Sequence, residues 1–178
     1  SMLTPRTQRW HRLRVLDDDL NENHEIRAYL DRVTDILFQV RYSPRANFAS
    51  QAHEVYMDLG AFGTGCLLID DMVGHGIRYR SIPLNEYFIA ENHQGVIDTL
   101  TRRFPMTARQ ACQKFGEKVL PESITRALEK NPEQSFEFLH CVQPNELVDY
   151  SRKDYRGMPY GSFYVSLDGR TIVQEGGL

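Results

Sequence analysis

Two adjacent aspartates are the residues of this sequence best suited to metal chemistry. Asp70 and Asp71 could bind a divalent cation if other acidic groups converged on them in the fold. Neighbouring residues of a strand point to opposite faces, however, so the pair favours a solvated strand end that opens a turn from Met72 to Gly76. A metal-dependent hydrolase centred on Asp70 is therefore the weakest of the functions considered.

Nucleophilic catalysis would require a nucleophile, a histidine base and an acid that orients the base. Cys66 with His53 or His140 is the one conceivable thiol pair, but Cys66 begins an apolar strand in which burial disfavours a thiolate. Cys66, Cys112 and Cys141 form no Cys-x-x-Cys pair, which favours reduced, structural thiols. We predict that the protein is not an enzyme and holds neither cofactor nor metal.

Arginines provide two candidate sites for phosphate contact. Arg78 and Arg80 are two residues apart on a predicted strand and therefore share a face, and we place Arg102 and Arg103 on a neighbouring strand. The alternative is a solvated sheet face whose arginines pair with nearby acids. Those acids are Glu86, Glu91 and Asp98.

The first 16 residues carry four arginines and no acid, after which Asp17 to Asp19 reverse the charge. This composition predicts an extended arm over residues 1–21. Trp10 with Arg12 and Arg14 could form a stacking and phosphate-binding patch for nucleic acid. The alternative is a tryptophan that anchors the arm while the arginines face water, and the net charge of -3 gives no general support for nucleic-acid binding.

Helices are expected directly after this arm. Apolar residues recur every three or four positions from Glu22 to Arg41, which predicts an amphipathic helix that Ser43 and Pro44 terminate. A second helix follows, with one face marked by Phe48, Ala52, Val55, Tyr56 and Leu59. Glycines at 60, 63 and 65 then predict a tight exit into a strand from Cys66 to Asp70.

Strands dominate the rest of the sequence. Segments 77–84, 87–90 and 96–104 are rich in β-branched and aromatic residues and predict an antiparallel meander. Thr107 and Gln110 match a capping box, and two short helices are expected within about 107–131. Strand character returns at 136–142, where His140 lies on the apolar face and is expected to be a hydrogen-bonded core residue. Residues 145–160 read as an exposed excursion.

The clearest hairpin runs from Phe163 to Val173, where Asp168 and Gly169 suit a two-residue primed turn. Together these elements predict an α+β fold in which amino-terminal amphipathic helices pack on a mainly antiparallel β-sheet with two short inserted helices. We predict a single domain over residues 1–178, with a helical pair at 22–60 and the sheet at 64–178. The longest apolar run, Cys66 to Ile69, predicts no membrane span.

Several ordered segments resemble the head-to-tail connecting family of bacteriophage portal proteins. They are Leu3-Thr4-Pro5 with Trp10, Leu59 to Gly65 with the strand that follows, Ile82-Pro83-Leu84 with Glu86-Tyr87, and Asp98 to Gln110 with Phe115-Gly116. The similarity extends in order from about Leu3 to Val173. Because portal subunits of this family are several hundred residues long, the resemblance implies a fragment from the amino-terminal part of the wing region, as Gly176-Gly177-Leu178 directly after a strand also suggests. Ser1 before Met2 indicates a residue left by cleavage of a tag.

The resemblance implies a structural role. Portal subunits form a ring of about twelve copies at one capsid vertex, where the terminase packaging motor, capsid and tail proteins bind and double-stranded DNA passes through the channel. It implies location in the virion, and in the host bacterial cytoplasm during assembly. Arg78, Arg80, Arg102 and Arg103 become candidates for contact with DNA or a neighbouring subunit. The isolated fragment is expected to be monomeric or weakly associated.

Overall fold

The structure, a computed structural model, describes residues 3–72, 74 and 76–177. Ser1, Met2, Leu178 and two residues of the turn between Met72 and Gly76 lie outside the described residues. The chain divides into two compact units, Ser1–Leu84 and Asn85–Leu178. The single domain over residues 1–178 therefore stays a prediction. In the described part of the chain, no helix combines the length and apolar composition needed to cross a bilayer.

The first unit contains three helices: α1 (Asp18–Glu22), α2 (His24–Arg41) and α3 (Phe48–Phe62). The predicted helical pair is confirmed as α2 and α3. Asn23 begins α2, because its side-chain oxygen accepts hydrogen bonds from the backbone N–H groups of Glu25 and Ile26. These bonds satisfy two of the donors that a helix start leaves without a partner inside the helix.

A left-handed glycine ends α3. Gly63 has φ 76°, and its N–H donates to the Leu59 carbonyl, the geometry that glycine adopts without steric cost. The chain then enters β1 (Cys66–Met72), which pairs antiparallel with β2 (Gly76–Ile82). The predicted glycine exit into a strand is thus confirmed.

The core of this unit is aromatic. Its buried members come from the α2–α3 connection, α3 and β2, and they are Tyr42, Ala46, Phe48, Ala52 and Tyr79. The Phe48 ring contacts those of Tyr42 and Tyr79 edge-on, at centroid distances of 5.4 and 4.9 Å. Leu59, predicted on the same face of α3 as Phe48 and Ala52, is 45% exposed and lies in the last turn of the helix.

The second unit is built on a five-stranded antiparallel sheet in which strands adjacent in sequence are adjacent in space. Its strands are β3 (Tyr87–Glu91), β4 (Ile97–Thr107), β5 (Ser135–Pro144), β6 (Tyr160–Ser166) and β7 (Thr171–Gly177). Short connections allow this meander, since antiparallel neighbours need no crossover helix. The α+β class is confirmed by helices followed by antiparallel sheets.

Two helices, α4 (Ala108–Phe115) and α5 (Glu122–Lys130), are inserted between β4 and β5. The capping box that begins α4 is complete: the Gln110 N–H donates to the Thr107 hydroxyl, and the Thr107 N–H donates to the Gln110 side-chain oxygen. The helices pack on one sheet face. Fully buried side chains at this contact include Phe138 and Ile124, both 0% exposed.

Three sequence predictions need correction. Residues 1–21 are not extended throughout, because the Asp17 side chain caps the helix α1 at their end. The strands form two sheets, one of two strands and one of five, so Arg102 and Arg103 on β4 do not lie on a strand neighbouring Arg78 and Arg80. Period-two alternation reports which face a side chain takes, but it carries no information about which strands pair. The β6–β7 hairpin also has a four-residue loop, since Ser166 pairs with Thr171.

The residue with positive φ in this loop is Arg170, at 50°, and not Gly169. Gly169 is required for a different reason. A Cβ atom there would lie 2.6 Å from Cγ of Pro121, so only glycine allows the loop to approach the start of α5 this closely.

Candidate interaction surfaces

One candidate surface is the arginine-bearing face of β2. Arg78 and Arg80 are both exposed, whereas Tyr79 between them is 6% exposed and packs in the core. In the strand register Arg78 lies opposite Asp70, and Arg80 lies opposite Leu68. The predicted alternation on β2 is therefore correct, and it places two cations on the solvent side of the two-stranded sheet.

Arg102 takes a different position. It is 7% exposed, and its Nε and Nη2 donate to one Glu86 carboxylate oxygen at 2.9 and 2.6 Å. Its guanidinium carbon also lies 4.2 Å from the centroid of the Phe104 ring. Burial of a guanidinium requires such compensation, which makes Arg102 a structural residue in this fold.

Arg103 points to the opposite face of the sheet. Its Nε donates to Glu137 on the adjacent strand at 2.9 Å, and both side chains are largely exposed. Because exposed ion pairs are screened and exchange easily with water, Arg103 stays accessible to other partners. Of the two neighbouring arginines, only Arg103 belongs to the surface.

His140 lies directly across the strand pair from Arg102. It is 6% exposed, its ring stacks on Tyr164 at 4.0 Å, and its Nε2 is 2.9 Å from the Ser162 hydroxyl. These contacts make His140 the hydrogen-bonded core residue that the sequence predicts. Because these contacts satisfy the buried imidazole, its burial is explained without a role in binding a ligand.

The amino-terminal arm is bound along α2. The Trp10 Nε1 donates to the Tyr42 hydroxyl at 2.9 Å, and that hydroxyl donates to the Thr4 carbonyl at 2.9 Å. The Leu13 N–H donates to the hydroxyl of Thr34, which is fully buried. The arm is therefore an ordered part of the first unit, with its single tryptophan as an anchor.

Acids of α2 engage the arginines of this arm. Arg12 forms two hydrogen bonds with the Asp31 carboxylate, both at 2.9 Å, and Arg9 lies 3.2 Å from Asp35. Arg41 reaches over the Trp10 ring at 5.0 Å. These ion pairs are exposed, as is Arg14, so they do not remove the charges of the arm. The Trp10 ring, however, is already engaged by Arg41 and Tyr42 and not presented for base stacking, so the nucleic-acid alternative is not favoured.

Neither metal nor thiol chemistry gains support from the geometry. Asp70 and Asp71 are exposed, and among the described residues no three His, Cys, Asp or Glu side chains are grouped as metal ligands. Cys66, Cys112 and Cys141 form no disulfide bond, and all three side chains are half-buried.

The predicted excursion between β5 and β6 is more ordered than its polar sequence indicates. Its two ends meet through a hydrogen bond from the Asn145 N–H to the Pro159 carbonyl, and Asn145 Nδ2 donates to the carbonyls of Tyr155 and Met158 at 2.7 Å. The Arg152 guanidinium donates to the Asp154 carboxylate and lowers the pKa of that carboxyl. The excursion displays Leu147 at 89% exposure. Polar composition alone does not predict this order, because the order depends on hydrogen bonds between the two ends of the loop.

The fold defines a class: an α+β protein with one two-stranded and one five-stranded antiparallel sheet. Comparison with known proteins makes this specific. Residues 1–178 match the family model for the bacteriophage head to tail connecting protein, and the chain belongs to that family. The resemblance found in the sequence is confirmed.

Two phage proteins are similar to the chain along nearly its whole length. It is 28% identical over 180 residues to the portal protein of Salmonella phage epsilon15, covering 99% of this chain and 32% of that protein. It is 28% identical over 178 residues to the probable portal protein of Bordetella phage BPP-1, covering 98% of this chain and 32% of the relative. The chain thus spans about a third of the length of these relatives.

Proposed function

We propose that this chain is part of a phage portal subunit, the head-to-tail connector that forms a ring at one capsid vertex. The observation that carries the proposal is the family match over residues 1–178, together with two portal-type relatives aligned along nearly the whole chain. Since the chain corresponds to about a third of those relatives, we propose that it is a fragment of a longer subunit, from the amino-terminal part of the wing region.

The role in this proposal is structural. The ring of about twelve copies would give double-stranded DNA a passage during packaging and ejection, and the terminase motor, capsid and tail proteins would be its partners. Its place would be the virion, with assembly in the host bacterial cytoplasm. No catalytic step is assigned to any residue.

Contact residues are proposed from the geometry. Arg78 and Arg80 lie on an exposed sheet face, and Arg103 is exposed on β4, so these three are candidates for contact with DNA or a neighbouring subunit. Arg102 enters the proposal only through its support of β4, because contact with a partner would require it to leave Glu86.

Electron microscopy of the full product of the gene that encodes these residues tests the proposal. Rings of about twelve subunits with a central channel are the expected result, because assembly into a ring is the property on which a portal depends. A full-length product that stays monomeric at micromolar concentration would overturn the portal assignment. Triple replacement of Arg78, Arg80 and Arg103 by Gln, compared with replacement of the solvent-exposed Lys153, would then show whether these cations contribute to ring formation or DNA retention.

A further inference from the structure

In the part of the chain that the structure describes, each outer strand of the five-stranded sheet has a strand partner on one side only. Within the described residues, β3 pairs only with β4, and β7 pairs only with β6. A strand at a sheet edge offers a row of N–H and C=O groups to any further strand. Neither Tyr87–Glu91 nor Thr171–Gly177 contains a proline or a lysine, two residues that commonly protect such edges.

Both edges also carry a large exposed apolar side chain. Phe88 on β3 is 70% exposed, and Ile172 on β7 is 57% exposed. The strand register places them on one face of the sheet. Phe88 is opposite Thr101, which is opposite Cys141 and then Phe163, while Ile172 is opposite Val165.

Phe163 and Val165 are two residues apart on β6 and so share a face. That face is the one opposite α4 and α5, because the buried Phe138, which packs with the helices, lies on the other side of β5 from Cys141. Phe88 and Ile172 are thus exposed apolar side chains at opposite edges of the same sheet face, on which Tyr155 and Met158 pack near Phe163 and Gly177.

We propose that β3 of one subunit pairs with β7 of a neighbouring copy, so that the sheets of adjacent subunits join edge to edge. The occupant of each edge is a second copy of this chain. This inference rests on the proposed portal function, because the ring supplies the neighbour. A ring requires a heterologous contact between two different surfaces of each subunit, and the two ends of one sheet meet that requirement.

The geometry of this pairing follows from the strand order. Each strand of the sheet is antiparallel to the next, so β3 and β7 run in the same direction. Copies related by the small rotation of a many-membered ring keep that direction, and the contact between them is therefore parallel. The sheet faces opposite α4 and α5 become continuous, and Phe88 of one copy lies on the same face as Ile172 of the next, where each covers apolar surface of the other.

Chemical cross-linking of the full gene product tests the contact. All cysteines of the full product, Cys66, Cys112 and Cys141 among them, are first replaced by Ser, and Phe88→Cys and Ile172→Cys are introduced together. Rings, checked by electron microscopy, are treated with a bismaleimide that spans roughly 8 Å, the reach of diagonal neighbours across a strand pair. We expect a ladder of covalent oligomers under denaturing conditions.

Each single variant is the matched control and should stay monomeric, because a head-to-tail contact never places two copies of the same edge together. Dimers from either single variant would overturn the proposal in favour of a same-edge contact. Rings whose double variant remains monomeric would overturn the edge contact while leaving the portal function intact. A gene product that forms no rings would overturn both.

Discussion

Arg102 and Arg103 are adjacent in sequence yet have opposite environments. Alternation on β4 sends the first side chain to the helix-covered face and the second to the open face. The Arg102 guanidinium is therefore desolvated and bound to Glu86, whereas the Arg103 pair with Glu137 stays in water. Sequence shows two equivalent cations, and only the fold distinguishes a structural arginine from a surface one.

Substitution of the two arginines should separate these roles. Arg102→Ala removes a buried ion pair and its packing on Phe104, and we expect a loss of about 2 to 3 kcal/mol in the free energy of unfolding, reduced from a fully buried pair by the partial exposure of Glu86. Arg103→Ala should cost less than about 1 kcal/mol. Urea denaturation measures both. Equal losses for the two variants would contradict the assignment of Arg102 to the core.

A second prediction concerns His11, a residue of the arm whose ring stacks on Phe38 of α2. Burial, followed by the charges of Arg41 and Arg9, lowers the pKa of His11 below its usual value. The unfolded chain thus binds a proton at this residue more readily than the folded chain does. This contribution to stability is complete above the ordinary histidine pKa of about 6.5 and is lost as the pH falls through the lowered folded pKa.

Thermal unfolding at pH 7.5 and pH 5.5, followed by Trp10 fluorescence, should reveal this dependence. We expect the melting temperature of the native sequence to fall more over this interval than that of His11→Gln, which keeps a polar side chain but cannot be protonated. His24→Gln, on an exposed residue of α2, is the matched control and should retain the native pH dependence. If the melting temperature of His11→Gln falls as much as that of the native sequence, the pH dependence arises from another titrating group.

At the scale of elements, the sequence predicts local features better than it predicts which strands and segments pair with one another. The Thr107 and Gln110 capping box, the αL glycine at 63 and the two inserted helices depend on residues within one turn of each other, and all are confirmed. The separation into two sheets depends on contacts distant in sequence. The arm's pairing with α2 depends on such contacts too, and composition alone left its arginines open to two interpretations.

The β6–β7 loop provides a further example, because its glycine is required by a tertiary contact. Gly169→Ala would place a Cβ atom 2.6 Å from the ring of Pro121. We expect a loss of about 1 to 3 kcal/mol, since neither the proline ring nor the hairpin can move without strain. Gly176→Ala on β7 meets no atom within 4 Å and should change stability by less than about 0.5 kcal/mol. Similar values for the two variants, measured by urea denaturation, would show that the loop relaxes freely.

At the scale of the whole molecule, each compact unit has a core of its own. The second unit buries Phe104, Ile124 and Phe138 with neighbours that all lie between residues 104 and 173. Its sheet order follows the chain, so it needs no strand from the first unit. The two cores give a physical reason to test whether residues 85–178 can fold without residues 1–84.

We expect residues 85–178 expressed alone to unfold cooperatively, because a core assembled from local helices and neighbouring strands supports a domain of this size. Phe138→Ala is the quantitative probe, because it removes a fully buried ring. We expect the free energy of unfolding to fall by about 3 to 5 kcal/mol, and by the same amount in the isolated unit as in the whole chain. Urea denaturation of both forms measures the two costs. A second unit that binds hydrophobic dye and melts without cooperativity would show that it depends on residues 1–84, and would favour the single domain that the sequence predicts.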